Sequence, residues 1–219
     1  MFIEEQKEIF QKLYNVSRET INQLSVYYNL LTRAQKTTNL IGSGSVKSIW
    51  LRHFADSAKL AEIIISHHKD TDRPLICCDV GAGAGFPGIV CLLVLNAVGY
   101  RVSLHLVESN KKKCKFLYKV KKELGLSFII INERVEKLDG KYDFILARAV
   151  APLGELLNLT YSLSKKKTIL LFPKGKNFLM EIKESKKIWK FSCNIVKNNA
   201  LLDNTGGVTL EITNLIKLK

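Results

Sequence analysis

The segment Leu75–Leu95, which reads LICCDVGAGAGFPGIVCLLVL, constrains the fold of this chain more than any other stretch. A short apolar run ends at Asp79, four glycines follow within eight residues, and the uncharged apolar run Ile89–Leu95 comes next. This order predicts a strand, a glycine-rich turn and a buried helix. Glycines allow positive φ and close approach of a ligand, while a helix start presents unpaired N–H groups. The segment therefore predicts a nucleotide-like ligand at residues 79–88.

The spacing of the glycines distinguishes between the known kinds of nucleotide-binding turn. Gly81 and Gly83 match the dinucleotide fingerprint G-x-G-x-x-G, but Phe86 stands where the third glycine belongs. No Gly-Lys-Ser/Thr follows, so the phosphate-binding loop of nucleoside triphosphatases is also excluded. Because the carboxylate of Asp79 lies beside the turn, the turn suits a ligand with a cationic or zwitterionic head and a ribose, such as S-adenosylmethionine (SAM). The alternative is a glycine turn that serves only close packing.

A second acidic residue supports a ligand with a ribose. Residues 102–107 predict a strand, and Glu108 stands just past its end. An acidic residue at the tip of the second strand of a βαβ unit can accept both ribose hydroxyls. The alternative is that Glu108 caps the following predicted helix, 111–124, and the two roles are compatible.

The remaining pattern predicts an α/β fold that begins with helices. Helical spacing of apolar residues predicts helices over 2–35 with a break at Ser17, and a kinked helix from Val46 to about His68. After a polar linker, His67–Pro74, alternating elements predict a mostly parallel sheet covered on both faces. These are strands 75–79, 101–107, 127–132, 142–147 and 167–172, with helices 87–97, 110–124, 134–138 and 153–163 between them. Helix 176–187 and strands 189–197 and 207–217, joined through Asn204–Gly207, predict an antiparallel edge.

Composition sets the domain number and the compartment. A length of 219 residues with 47% hydrophobic content predicts one domain with a helical extension, which we divide at residues 1–72 and 73–219. No apolar run reaches the ~18 residues that span a bilayer, and the N-terminus is acidic and amphipathic, unlike a signal peptide. The five cysteines lack metal-binding spacing and predict small core residues in a reducing compartment. We therefore expect a cytoplasmic protein without membrane contact.

The net charge of +14 predicts a polyanionic partner. The densest basic run is Lys111–Lys122, with seven lysines in twelve residues. On a helix Lys111, Lys115, Lys119 and Lys122 share one face, and Phe116, Val120 and Leu124 form an apolar face. The basic face is either a solvated helix surface or a contact with nucleic acid, and the sequence leaves both open.

Several blocks spread over nearly the whole chain resemble the small-subunit ribosomal RNA methyltransferase G family (RsmG, also called GidB). The blocks are NLIG from Asn39, RHFADS from Arg52, DVGAGAGFPG from Asp79, Glu108-Ser109, RVE from Arg134, ARA from Ala147 and Lys174-Gly175. The order and intervals of these blocks are highly specific, although no single block is decisive. Two departures are mild: Ala147 replaces a common Ser, and Phe172-Pro173 precedes Lys174 where Leu is usual.

The resemblance implies a Rossmann-like class I SAM-dependent methyltransferase with a seven-stranded sheet, an antiparallel edge and an N-terminal helical extension. It implies transfer of the SAM methyl group to N7 of one guanosine in the decoding-region loop of 16S rRNA, by a monomer that acts on the small ribosomal subunit. In the family, SAM contacts fall at positions that match Gly81, Phe86, Val135, Glu136 and Arg148. With the turn and ribose residues, the expected cofactor-binding set is Asp79, Gly81, Gly83, Phe86, Glu108, Val135, Glu136 and Arg148.

The chemistry at N7 predicts a site without a catalytic acid–base pair or a metal. Guanine N7 carries an in-plane lone pair and no proton, so the enzyme must align the reactants and exclude water. Arg148, at the tip of the fourth strand, is the candidate positioning residue, holding the SAM carboxylate or a phosphate. As an alternative it pairs with Asp143 or Glu136. Val135 and Glu136 lie where backbone amides can read adenine, or else they simply begin a helix.

Four residues are candidates for RNA contact. Arg52 and His53 lie on one helical turn with Asp56, which equally suits a structural salt-bridge cluster. Asn39 and Lys174 flank the same predicted crevice, and their alternatives are a turn residue and a solvated lysine. Two other functions remain: a SAM-dependent methyltransferase for a small molecule or protein, and an RNA-binding module without activity.

Overall fold

The computed structural model describes residues 2–68, 73–197 and 207–218, and a single mixed sheet lies at its centre. Its strands are β1 Leu75–Val80, β2 Val102–Val107, β3 Ile129–Ile131, β4 Tyr142–Leu146, β5 Ser164–Lys174, β6 Trp189–Lys197 and β7 Val208–Lys217. The seven strands lie in the order β3-β2-β1-β4-β5-β7-β6. The pairs among β1 to β5 are parallel, and β7 is antiparallel to β5 and β6. This confirms the predicted α/β fold with an antiparallel edge. Residues 204–206 of the predicted connecting loop lie outside the described residues.

Helices cover the sheet, and the helices that precede β1 form an N-terminal extension of the domain. Within the described residues the α-helices are α1 Ile3–Tyr14, α2 Arg18–Gln35, α3 Ala55–His67, α4 Gly88–Ala97, α5 Lys111–Glu123, α6 Leu153–Tyr161 and α7 Phe178–Ser185. The predicted break between the first two helices is confirmed, since Ser17 is the N-cap of α2 and its side chain accepts a bond from the Thr20 N–H. None of the described helices combines the length and the apolar character that crossing a membrane requires.

The predicted third helix is less regular than expected. Residues Ser43–Ser48 form a 3₁₀ helix, Trp50–Phe54 form a π-helical turn, and α3 begins only at Ala55. The π turn accounts for the predicted kink, because it admits an extra residue into the hydrogen-bonding ladder. It carries Arg52 and His53, so the irregularity decides where these two side chains point.

Helix α4 is buried on nearly all sides, as its uncharged sequence predicts. The residues Gly88–Leu95 are all buried. Helix α5 shows the opposite arrangement: its buried residues are Cys114, Phe116, Leu117 and Val120, while most of its lysines face outward. The amphipathic character predicted for α5 is therefore confirmed, and its basic face borders solvent.

Aromatic rings join the N-terminal helices to the sheet domain. The ring of Tyr27, on α2, stacks on Phe54, Phe86 and Phe116, with centroid distances of 5.6, 5.4 and 6.4 Å. One hydrophobic cluster includes Phe10 at the N-terminal side and residues of β1, β2 and α4. The rings of the extension thus pack directly against the turn between β1 and α4. We propose 1–72 as an extension of the unit 73–219; residues 69–72 of the predicted linker lie outside the described residues.

Candidate functional site

Two neighbouring cavities open where β1, β2 and β4 end, at the carboxyl edge of the parallel strands. The Glu108 cavity, about 240 Å³, is bordered by Gly81, Glu108, Val135, Glu136 and Val150, among others. The His53 cavity, about 200 Å³, is bordered by Ile41, His53, Gly81, Gly83, Phe86, Lys113 and Arg148, among others. Because Gly81 borders both, a ligand longer than either cavity can pass over this residue. Open α/β sheets bind ligands at this edge.

The turn between β1 and α4 has a backbone that only glycine adopts readily. Gly81 and Gly85 have φ of 67° and 96°. A Cβ at Gly81 would lie 2.7 Å from Val150 Cγ2, and one at Gly85 would lie 2.8 Å from the Tyr27 hydroxyl oxygen. The turn is therefore held from two sides, by the loop after β4 and by α2. This leaves the Gly81 backbone accessible at the junction of the two cavities.

Asp79 lies beneath the glycine turn, apart from the residues that border the two cavities. Its side chain is fully buried, and Oδ2 accepts a hydrogen bond of 2.8 Å from the Gly88 N–H. A Cβ at Gly88 would lie 2.7 Å from this oxygen, so the glycine is required for the contact. The pKa of Asp79 is raised to about 7, mainly by burial. The hydrogen bond from the Gly88 N–H lowers the pKa in part, and the negative charge of Glu108 raises it. In this structure Asp79 fixes the start of α4, and its contact with the cofactor stays a prediction.

Glu108 connects the glycine turn to the end of β2. Its Oε2 accepts a hydrogen bond of 2.9 Å from the Gly83 N–H, and its Oε1 accepts one of 2.7 Å from the Asn110 N–H. The alternative role as helix cap is wrong, because the N-cap of α5 is Asn110, whose side chain accepts from Lys112 and Lys113. Each carboxylate oxygen of Glu108 retains acceptor capacity toward the cavity.

Val135 and Glu136 border the same cavity as Glu108. They begin a 3₁₀ turn of three residues, Val135–Lys137, which follows β3. The Val135 side chain is buried, whereas Glu136 is exposed. The predicted short helix is therefore confirmed as a single 3₁₀ turn, and its first backbone groups lie at the cavity wall.

Arg148 lies between the N-terminal extension and the His53 cavity. Its Nη2 is 3.2 Å from Asp56 Oδ2 and donates a hydrogen bond of 2.9 Å to the Arg52 carbonyl oxygen. The next residue, Ala149, has φ of 55°, so the chain turns sharply here. The sequence groups Arg52 and Asp56 on one helical turn, and the structure brings Arg148 to that turn.

The predicted ion pair between Arg148 and Asp143 is wrong. Asp143 lies at the other end of β4 and pairs with Arg73 at 2.8 Å and with Lys165 at 2.6 Å. These partners lower the pKa of Asp143 well below its usual range, against the effect of its burial. Glu136 borders the Glu108 cavity, while Arg148 borders the His53 cavity. Arg148 does form a structural ion pair, but with Asp56 of the extension.

The imidazole of His53 forms one wall of the second cavity. Its ring centroid lies 5.0 Å from that of Phe86 with an interplanar angle of 32°, and Nε2 lies 2.8 Å from Ser45 Oγ. Burial, together with the positive charges of Arg148 and Arg52, lowers the pKa of His53 to about 3. His53 is therefore neutral at physiological pH. Arg52 itself is exposed, so its side chain remains a candidate for RNA contact.

Lys174 is a buried structural residue and not the solvated lysine that the sequence allowed. Only 8% of its side chain is exposed, and Nζ lies 2.8 Å from both the Ala151 carbonyl oxygen and Glu181 Oε2. The same Glu181 oxygen accepts a hydrogen bond of 2.7 Å from the Leu153 N–H. Lys174 thus supports the loop after β4, and its predicted RNA contact loses its structural basis.

Asn39 is exposed at the turn that leads to the His53 cavity. Gln35, which sequence reasoning missed, organises this turn: its Oε1 accepts from the N–H groups of Leu40 and Ile41 at 2.9 and 3.0 Å. Its Nε2 lies 3.4 Å from Asn39 Oδ1. Leu40 and Ile41 then border the cavity. Two apolar residues within a turn-rich segment were the feature of the sequence that could have indicated this part of the cavity wall.

Larger cavities occur elsewhere, but they lack these features. One of about 430 Å³ lies by the amino end of β5, bordered by Lys141, Tyr161 and Lys165. Another of about 520 Å³ lies between α6 and α7. Neither is bordered by the glycine turn or by the residues that follow β1 and β2. The volume of a cavity is a weaker indicator of the binding site than its position at the carboxyl ends of the parallel strands.

Comparison with known proteins identifies relatives of the whole chain. Residues 20–205 match the model of the family described as rRNA small subunit methyltransferase G. A ribosomal RNA small subunit methyltransferase G of Jannaschia sp. (strain CCS1) is 36% identical over 184 residues, 84% of each protein. One from Rickettsia bellii (strain OSU 85-389) is 34% identical over 206 residues, covering 94% of this chain and 100% of the relative.

A solved structure shares the fold. The magnesium protoporphyrin IX methyltransferase of Synechocystis PCC 6803, crystallised with bound SAM, superposes with a TM-score of 0.59 and 15% sequence identity. The match covers 94% of this chain and 96% of that chain. At this identity the likeness concerns the fold, which is that of a SAM-dependent methyltransferase.

Proposed function

The chain belongs to the rRNA small subunit methyltransferase G family, and we propose that it transfers the methyl group of SAM to N7 of one guanosine in the decoding-region loop of 16S rRNA. It is a SAM-dependent methyltransferase, and its substrate is RNA of the small ribosomal subunit. The proposed transfer to N7 of a guanosine is supported by two cavities that meet at Gly81. The Glu108 cavity is suited to the nucleoside part of SAM, and the His53 cavity to the rest of the cofactor and the flat target base.

The residues of the Glu108 cavity fit the adenosine part of SAM. Each oxygen of Glu108 accepts one backbone hydrogen bond and keeps capacity for a ribose hydroxyl. The backbone at Val135 and Glu136 borders the same space and suits the edge of adenine. Gly81 borders both cavities, so we place the connection between the two halves of the cofactor over its backbone. We assign Gly83 and Phe86 to the other half of the cofactor.

SAM supplies an electrophilic methyl group: the N7 lone pair forms the new C–N bond, the C–S bond breaks, and the positive charge moves from sulfur to guanine. The chain's residues need to remove no proton, because N7 has none. Their work is to align the base and exclude water. Arg148 borders the His53 cavity, and its ion pair with Asp56 fixes its guanidinium at the edge. We propose it as a positioning residue for the SAM carboxylate or an RNA phosphate.

The charge distribution supports a large anionic substrate. Lys113 borders the His53 cavity, and the exposed lysines of α5 continue from it along the surface. Arg52 is exposed next to the same cavity. Phosphate contacts of this kind position RNA without selecting its sequence. We further propose that the protein acts as a monomer in the cytoplasm.

A labelling experiment tests the proposed substrate. The protein is incubated with methyl-labelled SAM and small ribosomal subunits from a strain that lacks this enzyme. Label in 16S rRNA is the expected result, and subunits from the parent strain, already methylated, serve as the control. Label only in protein or in small metabolites, or none at all, would contradict the proposal.

A further inference from the structure

The hydrogen bonds around Ser45 determine which nitrogen of His53 carries the proton. Ser45 Oγ donates a hydrogen bond of 2.7 Å to the Gly42 carbonyl oxygen. A hydroxyl has a single proton, so this oxygen acts as acceptor in its 2.8 Å contact with His53 Nε2. Nε2 is therefore the donor, and in a neutral imidazole Nδ1 is then an unprotonated acceptor. Within the described part of the chain, the His53 ring makes no other hydrogen bond.

The ring is held in place and kept uncharged by its surroundings. Phe86 covers one face of the ring, and the bond to Ser45 fixes its rotation. Arg148 and Lys113 border the same cavity, and Arg148 is paired with Asp56. Burial and the nearby guanidinium groups lower the pKa of His53, which keeps the imidazole neutral. The neutral ring suits direct contact with a base that becomes cationic when it is methylated, because an imidazolium in contact with the base would repel the product charge.

We propose that His53 binds the target guanine directly, with Nδ1 accepting a hydrogen bond from the Watson–Crick edge of the base, and so selects guanine over adenine. This inference rests on the proposed function and adds a residue that recognises the base. Guanine presents donors at N1–H and the 2-amino group. Adenine has its only donor on this edge at the 6-amino group, where guanine has O6. With the base held so that N7 faces the methyl group, adenine would therefore place its N1 lone pair or its C2–H opposite the Nδ1 lone pair. A site built around one hydrogen bond rejects a ligand that leaves its polar group unpaired.

A pair of amide substitutions distinguishes base recognition from a structural role. His53→Asn places an amide oxygen near the Nδ1 position and loses the Nε2 bond to Ser45. His53→Gln keeps the bond to Ser45, because its longer side chain reaches the hydroxyl oxygen. It places no acceptor at the Nδ1 position. The proposal predicts that His53→Gln lowers kcat/KM for small subunits about tenfold more than His53→Asn does, with the Kd for SAM changed little. His67→Asn, at the end of α3, is the control, because it also removes an imidazole contact, of 2.8 Å to Glu211, but borders neither cavity.

A third variant keeps the proposal testable if the amide variants fold poorly. Ser45→Ala keeps the imidazole but removes the acceptor that fixes its rotation and its Nε2–H tautomer. We expect it to lower kcat/KM for small subunits several-fold while Tm stays close to that of the unmodified protein. Equal kcat/KM in His53→Asn and His53→Gln, or better activity in His53→Gln, would overturn the role of Nδ1. Failure of the proposed function gives a separate result, because the unmodified protein would then not label 16S rRNA.

Discussion

The hydroxyl of Tyr27, on α2, donates a hydrogen bond to the carbonyl oxygen of Ala84 in the glycine turn. The two residues are 57 positions apart in the chain, and both are buried. The Tyr27 ring also stacks on Phe86, two residues beyond Ala84. The N-terminal helices therefore hold the cofactor turn in shape. We therefore propose that the extension supports SAM binding at this turn.

Tyr27→Phe should weaken SAM binding while the fold is kept. The change removes the hydroxyl and leaves the Ala84 carbonyl oxygen without this donor, which costs about 1–3 kcal/mol when the group is buried. We expect a lower Tm and a Kd for SAM raised several-fold, measured by calorimetry. Tyr118→Phe, at a 57% exposed position, is the matched control. Unchanged SAM affinity in Tyr27→Phe would show that the turn keeps its shape without α2.

Glu108→Gln should reduce SAM affinity more than it reduces stability. A carboxamide accepts at only one oxygen, so either the Gly83 N–H or the Asn110 N–H loses its acceptor, and the ribose loses a charged partner. We expect the Kd for SAM to rise at least tenfold. Glu123→Gln, at an exposed position of α5, should have no effect. Normal SAM binding by Glu108→Gln would remove the ribose role.

Arg148→Lys should lower turnover even though the charge is retained. A lysine ammonium cannot reproduce the planar guanidinium, whose Nη2 meets Asp56 and the Arg52 carbonyl oxygen while Nη1 lies 3.5 Å from the His53 carbonyl oxygen. We expect kcat/KM for small subunits to fall about tenfold or more, measured by initial rates at saturating SAM. Arg18→Lys, at the exposed start of α2, is the control. Full turnover and full SAM affinity in Arg148→Lys would rule out a role for the guanidinium geometry.

Asp79→Asn should change how stability depends on pH. Burial raises the pKa of Asp79 to about 7 from an ordinary value of 3.8, so the folded protein holds a proton that the unfolded chain has lost between these values. The stability from this group is complete below pH 3.8 and is lost as pH rises through 7. The free energy of unfolding of Asp79→Asn relative to the parent should therefore rise by on the order of 2 kcal/mol between about pH 5 and pH 8.

Urea unfolding at the two pH values measures this difference. Asp139→Asn, an exposed carboxylate in a loop, provides the control and should show no such change. A constant difference between Asp79→Asn and the parent would mean that Asp79 stays ionised in the folded protein.

The sequence predicts the sheet, the glycine turn and the residues after each strand, because these depend on local patterns. It does not predict where a polar side chain points once the chain is packed. Asp79 precedes the turn in sequence, yet it points beneath the turn because Gly88 offers it an N–H group. Lys174 follows a strand, yet it is buried by Glu181 and the loop after β4. The π turn at Trp50–Phe54 packs its own two rings, Trp50 and Phe54, against Phe10 of the distant helix α1, a contact that has no local signal in the sequence.

The account rests on methyl transfer to N7 of guanine, and identification of the methylated atom tests it most directly. Small subunits lacking the modification are treated with the protein and SAM, and the 16S rRNA is then reduced with borohydride and cleaved with aniline, which breaks the chain at 7-methylguanosine. The account predicts a single new cleavage at a guanosine in the decoding-region loop, dependent on both protein and SAM. Methyl label in 16S rRNA without any new aniline cleavage would place the methyl group on another atom and contradict the account.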